Sequence, residues 1–191
     1  SLTISSLLIG VNWTLYIYCV ATDQLVEASL GYYMTPLLSF ALGYLLFAER
    51  ISRLRAVAIA CAALAVIVQF WGLDHLPWIA PSLAVTFAFY GYLRKRTPVA
   101  AMDGLLIETA LLFPFTIGLV IWWSGRGGAF PSANLSKDAL LIGAGPMTAI
   151  PLALFAAGAR RIKLSTLGFL QYFSPSITLL PELPVIVLAS S

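Results

Sequence analysis

The stretch LLIETALLFP (residues 105–114) sets a carboxylate, Glu108, in a run from Gly104 to Trp123 that holds no other charge. Among apolar side chains a carboxylate is costly unless it finds a partner, a water-filled cavity or a proton. Three readings stay open. With Asp103 and the cluster Arg94-Lys95-Arg96 near it in sequence, Glu108 can snorkel toward a polar rim. It can face the interior of a helix bundle and bind a proton or a cationic substrate. It can also join helices by hydrogen bonds. Asn12, Gln171, Tyr172, Tyr90 and Gln69 are the other polar groups inside apolar runs, and each is a candidate cavity-lining or interhelical group. Pro36, Pro114 and Pro175 lie inside such runs as well, where the missing N–H frees a carbonyl to line a cavity or simply kinks a helix.

Other chemistry is not encoded. HExxH, GxSxG with a histidine, and paired intramembrane aspartates are all missing, and the one histidine, His75, stands between apolar runs. SGRGG (124–128) lacks the GK[ST] ending of a phosphate loop. Cys19 and Cys61 sit in apolar runs without metal-ligand spacing, as packing residues do. The expectation is a protein that is not an enzyme, with no catalytic residues, no metal and no cofactor.

The elements that must position these groups follow from composition. The 191 residues are 60% hydrophobic and 10% charged, with a mean hydropathy of +0.93. A soluble domain carries about 25% charged residues. The solvent is therefore mostly lipid, and the fold class is an all-α, polytopic transmembrane bundle. About 20 apolar residues span a bilayer, and seven segments qualify: 2–21, 29–48, 55–73, 77–93, 104–123, 139–158 and 165–180. For the Glu108 span, eleven large aliphatic or Phe residues at roughly −0.3 to −0.6 kcal/mol each outweigh one charge at about 3 kcal/mol.

Nine of the eleven bases fall in alternate loops, around Arg50, Arg94 and Arg160. The positive-inside rule makes those loops cytoplasmic. Clustered in this way, the net charge of +3 is a topology signal rather than a nucleic-acid surface, so the expected partners are the bilayer and a small-molecule substrate, with no nucleic acid. Trp71, Trp78, Trp122 and Trp123 mark outer span ends. Small residues every fourth position, Gly145, Ala149, Ala153 and Ala157, with Ala58, Ala62 and Ala65, predict packing seams.

An offset of 139 positions superposes residues 15–38 on 154–177, setting Tyr16 on Phe155, Leu25 on Leu164, Tyr33 on Tyr172 and Pro36 on Pro175. The matched pairs, first and second helices against sixth and seventh, are five helices apart. An odd offset makes the copies cross in opposite directions, which is the inverted-repeat architecture of many secondary transporters.

NWTLYIY, EASLGYYMTPLL, LGYLLFAERISRLR, VQFWGLDHLP, AFYGYLRKRTPV, LLIETALLFP and LSTLGFLQYFSPSITLL occur in order over residues 1–180. Together they resemble the RarD-type (chloramphenicol-sensitive protein) branch of the EamA family, in the drug/metabolite transporter superfamily. The resemblance implies a bacterial inner-membrane protein of ten helices in a 5+5 inverted repeat, with the seven helices here as the third through ninth. It implies a secondary transporter that moves a small organic metabolite by alternating access. Residues 1–75 would be the last three helices of the first repeat, and 76–191 the second repeat without its final helix.

The family pattern sets a glutamate after each proline helix. Glu49 stands thirteen residues after Pro36, but the matching position after Pro175 is Leu188, and the tail 181–191 (PELPVIVLASS) diverges. The opening residues have neither an initiator Met nor the positive start of a signal peptide, and read as the interior of a longer sequence. A truncated, non-transporting remnant or an intramembrane structural protein is the alternative expectation, and a second copy of the chain is then a candidate partner.

Overall fold

The computed structural model describes residues 1–49, 52–71, 77–124 and 134–173, and these form seven α-helices with no strand among them. They are α1 (Leu2–Ala21), α2 (Leu25–Phe47), α3 (Arg53–Trp71), α4 (Ile79–Arg96), α5 (Ala101–Ser124), α6 (Leu135–Arg161) and α7 (Leu164–Gln171). Pro175, Arg50, His75, the glycine-rich stretch 125–128, the tail 181–191 and the end of the seventh expected span lie outside the described residues.

Several helices run past the apolar segments that announce them, and the extra turns are charged. Arg94, Lys95 and Arg96 form the last turn of α4, and Arg160 and Arg161 that of α6. Asp103 and Asp138 sit in the first turns of α5 and α6. Acids at N-termini and bases at C-termini suit the helix dipole, so these residues extend helices instead of ending them. This corrects the expectation that Arg94 and Arg160 are loop residues.

Five helices are long and apolar enough to cross a membrane: α1, α2, α3, α5 and α6. The expected count was seven. Among the described residues α7 is short, and α4 owes its lower hydropathy to Ser82, Thr86 and its three bases. α4 can be polar because protein surrounds it: it packs on α1, α2, α6 and α7, and Ile79, Ala80, Leu83, Ala84, Ala88 and Tyr90 are buried. Around it Cys19, Ala28, Ile79 and Leu83 form one apolar cluster, and Leu30, Val66 and Ala80 another. The small-residue seam on α6 is packed only toward its C-terminal half, where Ala153 is buried, while Gly145 is open. On α3, Ala58 and Ala65 are exposed, and that helix packs through Val66 and Phe70 instead.

Polar staples fix the helix ends. The Glu49 carboxylate, just after α2, accepts the N–H groups of Leu164 (2.8 Å) and Ser165 (3.0 Å), the orphan donors at the start of α7. Lys95 Nζ lies 3.8 Å from Glu49 and donates to the Ile162 carbonyl (2.5 Å) at the end of α6. Burial pushes the Glu49 carboxyl up, but hydrogen bonding from Ser165 and Leu164, with Lys95 beside it, outweighs that and holds it below its ordinary range. At the other end, Glu27 in the first turn of α2 accepts the Ile79 N–H (3.0 Å) that opens α4. One end of the bundle thus gathers the C-termini of α2, α4 and α6 with the N-termini of α1, α5 and α7. The described bases Arg94, Lys95, Arg96, Arg160, Arg161 and Lys163 lie there.

Candidate functional site

Two features stand out among the helices, a buried polar cluster and a largely apolar cavity. The first is built around Glu108, about two turns into α5. It is 1% exposed, so it does not snorkel to a rim. From α1 the Ser5 hydroxyl stands 2.5 Å from Oε1, and from α4 the Tyr90 hydroxyl donates to Oε2 at 3.2 Å. Ser5 Oγ is also 2.9 Å from the Leu2 carbonyl, so its single proton is shared between two acceptors. Arg94, fully buried on α4, reaches 3.8 Å from Oε1 and donates to the Ala101 carbonyl at 2.7 Å. Its Nε and second terminal nitrogen make no hydrogen bond among the described residues. The guanidinium lies against Gly104, where a Cβ would collide with it. Glu108 therefore ties α1, α4 and α5 together through one charge pair and two hydroxyls.

The second feature is a cavity of about 340 Å³ between α1, α2, α4 and α6. Asn12, Tyr16, Tyr32, Thr35, Phe87 and Thr148 are among its walls, and most stand near the middle of their helices. Asn12 donates its amide to the Leu83 carbonyl (2.9 Å) and the Thr86 hydroxyl (2.8 Å) of α4. Its Oδ1 has no protein partner among the described residues. Tyr16 and Tyr32 meet edge to face with centroids 5.9 Å apart. The two features are linked along α4: Phe87 faces the cavity, Tyr90 packs 5.9 Å from it, and Arg94 follows one turn later. These positions, three and four apart, share one helix face.

The expected site residues therefore separate. Asn12 lines the cavity and Glu108 does not; Glu108 and Tyr90 share the ionic cluster. Tyr172 donates to the Tyr33 carbonyl (3.2 Å), so the two tyrosines aligned by the 139-residue offset touch across α2 and α7. Gln171 is half-buried, with its Oε1 unbonded among the described residues. Gln69 points outward from α3. Pro36 is buried within α2, Pro114 is exposed on α5, and α6 contains two further prolines, Pro146 and Pro151, that were not singled out. Sequence reasoning also missed Ser5, Arg94 as a buried partner, and the aromatic walls. The polar pair Ser5-Ser6 at the head of an apolar run was the available signal for the first.

Apolar helices around a buried charge pair and a mid-helix cavity define a multi-pass helical membrane protein. Comparison of sequences places it more narrowly. Over 180 residues, 94% of its length, the chain is 43% identical to an uncharacterized transporter of Pseudomonas aeruginosa. Over the same share it is 42% identical to the protein RarD of Escherichia coli and to the uncharacterized transporter YojE of Bacillus subtilis. The chain belongs to this RarD-type family. It spans about three fifths of the length of these curated relatives, 60%, 61% and 60% respectively. No family model and no solved structure matches it.

Proposed function

We propose that the chain forms the central part of a secondary transporter of the drug/metabolite, EamA-like type, which moves a small organic metabolite across the bacterial inner membrane by alternating access. The cavity carries this reading. It lies at mid-helix height, walled by α1 and α2 on one side and α4 and α6 on the other, so it straddles the division between residues 1–75 and 76–191. A site between two repeats near the midplane is where such transporters hold substrate. The Tyr33–Tyr172 contact supports the repeat, because residues equivalent under a two-fold operation meet only near its axis. The base-rich end is the cytoplasmic one under the positive-inside rule. Glu108, joined to the cavity wall through Tyr90 and Phe87, is the group that couples the buried charge pair to the cavity during the cycle. The transporter names of the relatives agree with a non-enzymatic role.

The test is reconstitution into vesicles loaded with a mixture of small metabolites, with efflux followed by mass spectrometry. Protein-dependent loss of at least one solute is expected, and Thr148→Trp, which fills the cavity, should abolish it. Efflux no faster than from protein-free vesicles overturns the reading. An unchanged rate and pH dependence in Glu108→Gln removes the coupling role alone.

A further inference from the structure

The walls of the cavity also restrict what it can hold. Four aromatic side chains, Trp13, Tyr16, Tyr32 and Phe87, surround it, and its lining contains no carboxylate, Lys, Arg or His among the described residues. The polar groups that remain are mostly spent. Thr35 Oγ1 donates to the Gly31 carbonyl (2.9 Å) and Thr148 Oγ1 to that of Ala144 (2.7 Å), while the Asn12 amide nitrogen is committed to α4. Glu27, next in sequence to the lining residue Ala28, is buried and turned to the Ile79 N–H. What the lining leaves unpaired are acceptors, Asn12 Oδ1 and the lone pairs of the Thr35 and Thr148 hydroxyls, and the Tyr16 and Tyr32 phenols, which make no hydrogen bond among the described residues.

An anionic ligand would meet ring faces of like electrostatic sign and no cation. A cationic ligand would be attracted by those faces, but that attraction is smaller than the cost of carrying an unpaired charge to the middle of a bilayer. A flat, uncharged ring has no charge to desolvate on entry and gains offset or edge contacts with four aromatic walls. An N–H or O–H on that ring satisfies Asn12 Oδ1. The volume, near the lower end of the usual range of small-ligand pockets, suits one ring and its substituents.

We infer that the cavity binds an uncharged aromatic molecule carrying a hydrogen-bond donor, held by stacking against Tyr16, Tyr32 and Phe87 and by Asn12 Oδ1. This rests on the cavity being the substrate site. The experiment is equilibrium dialysis of the purified full chain in detergent, against protein-free micelles, with probes matched in size. They are nicotinamide (neutral), nicotinate (anion), 3-(aminomethyl)pyridine (cation) and cyclohexanecarboxamide (neutral, not aromatic).

Nicotinamide should bind at least about tenfold more tightly than either ion, and roughly threefold to tenfold more tightly than the saturated amide. Asn12→Leu should weaken it by about threefold to tenfold. Tyr32→Leu, at a half-exposed ring whose loss leaves the packed core intact, should weaken it by a similar factor. Nicotinate or the amine binding as tightly as nicotinamide, no preference for the aromatic amide, or no binding at all would each overturn the inference. Counterflow of nicotinamide in vesicles separates the two readings. Binding without counterflow keeps the ligand class and defeats transport; counterflow of an ion in preference to the amide keeps transport and defeats the class.

Discussion

Arg94 and Glu108 lie 3.8 Å apart with almost no exposure of either side chain, on helices that turn around a short connection. The pair is not a source of stability in itself, since two desolvated charges roughly repay their own cost, but each member needs the other. Arg94→Ala should therefore destabilise the bundle by about 3–5 kcal/mol, the cost of leaving a buried carboxylate uncompensated. Adding Glu108→Gln to it should restore much of that loss. Unfolding by sodium dodecyl sulfate titration, followed by circular dichroism, reads both. A double variant as unstable as Arg94→Ala would show that the charge pair is not what Arg94 supplies.

Asn12 makes two hydrogen bonds to α4 as a donor, so its substitutions should rank by chemistry and not by size. Asn12→Leu loses both bonds, and interhelical bonds in membranes average about 0.6 kcal/mol and reach about 1.7. A loss of roughly 1–3 kcal/mol is expected. Asn12→Asp should cost more, because an ionised carboxylate offers no donor to the Leu83 carbonyl and buries a charge besides. The order wild type, Leu, Asp in the same unfolding assay checks this, and Asp equal to wild type would contradict it.

Helix number and order were legible because lipid leaves the backbone one solution and long apolar runs announce it. Helix ends were less so: Arg94–Arg96 and Arg160–Arg161 look like loop residues in a hydropathy pattern, yet they complete helices whose C-terminal dipoles favour them. Glu108 stood out as the lone charge of its run, but its partners did not. Ser5 and Arg94 are 103 and 14 positions away in sequence, and only the fold, with α1 packed on both α4 and α5, brings them to it. The cavity was least legible. Trp13, Tyr16 and Tyr32 are common span residues, and nothing in their spacing separates a cavity wall from a face toward lipid.

Glu49 should make stability depend on pH at the acid end. Its carboxyl is held below the ordinary glutamate range in the folded protein, so the ionised form is favoured by folding. Such a group contributes stability that is fully present above its unfolded value, about 4.3, and is lost as pH falls through the lowered folded value. Thermal melts from pH 7 down to about 3 should show wild type losing stability more steeply than Glu49→Gln below about pH 4, so that the gap between them narrows. Parallel curves over this range would remove Glu49 as the acid-sensitive staple of α7.

Gly168 and Gly145 should respond in opposite ways to the same substitution. On α7, a Cβ at Gly168 would sit 3.1 Å from the Pro36 carbonyl oxygen and 3.3 Å from the Ser39 Cβ. The first of these is backbone, which cannot rotate away, so α7 must withdraw from α2 and loosen the Phe40–Phe169 contact at 4.6 Å. Gly168→Ala should cost about 1–3 kcal/mol, as overpacking does. At Gly145, in the interior of α6, nothing lies within 4 Å of the added atom. Only helix propensity then changes, and Ala is favoured over Gly by roughly 1 kcal/mol. Gly145→Ala should leave the bundle unchanged or stabilise it by up to about that amount. Paired unfolding curves decide the matter: losses of equal size at both positions would mean that close approach of α7 to α2 is not what requires glycine at 168.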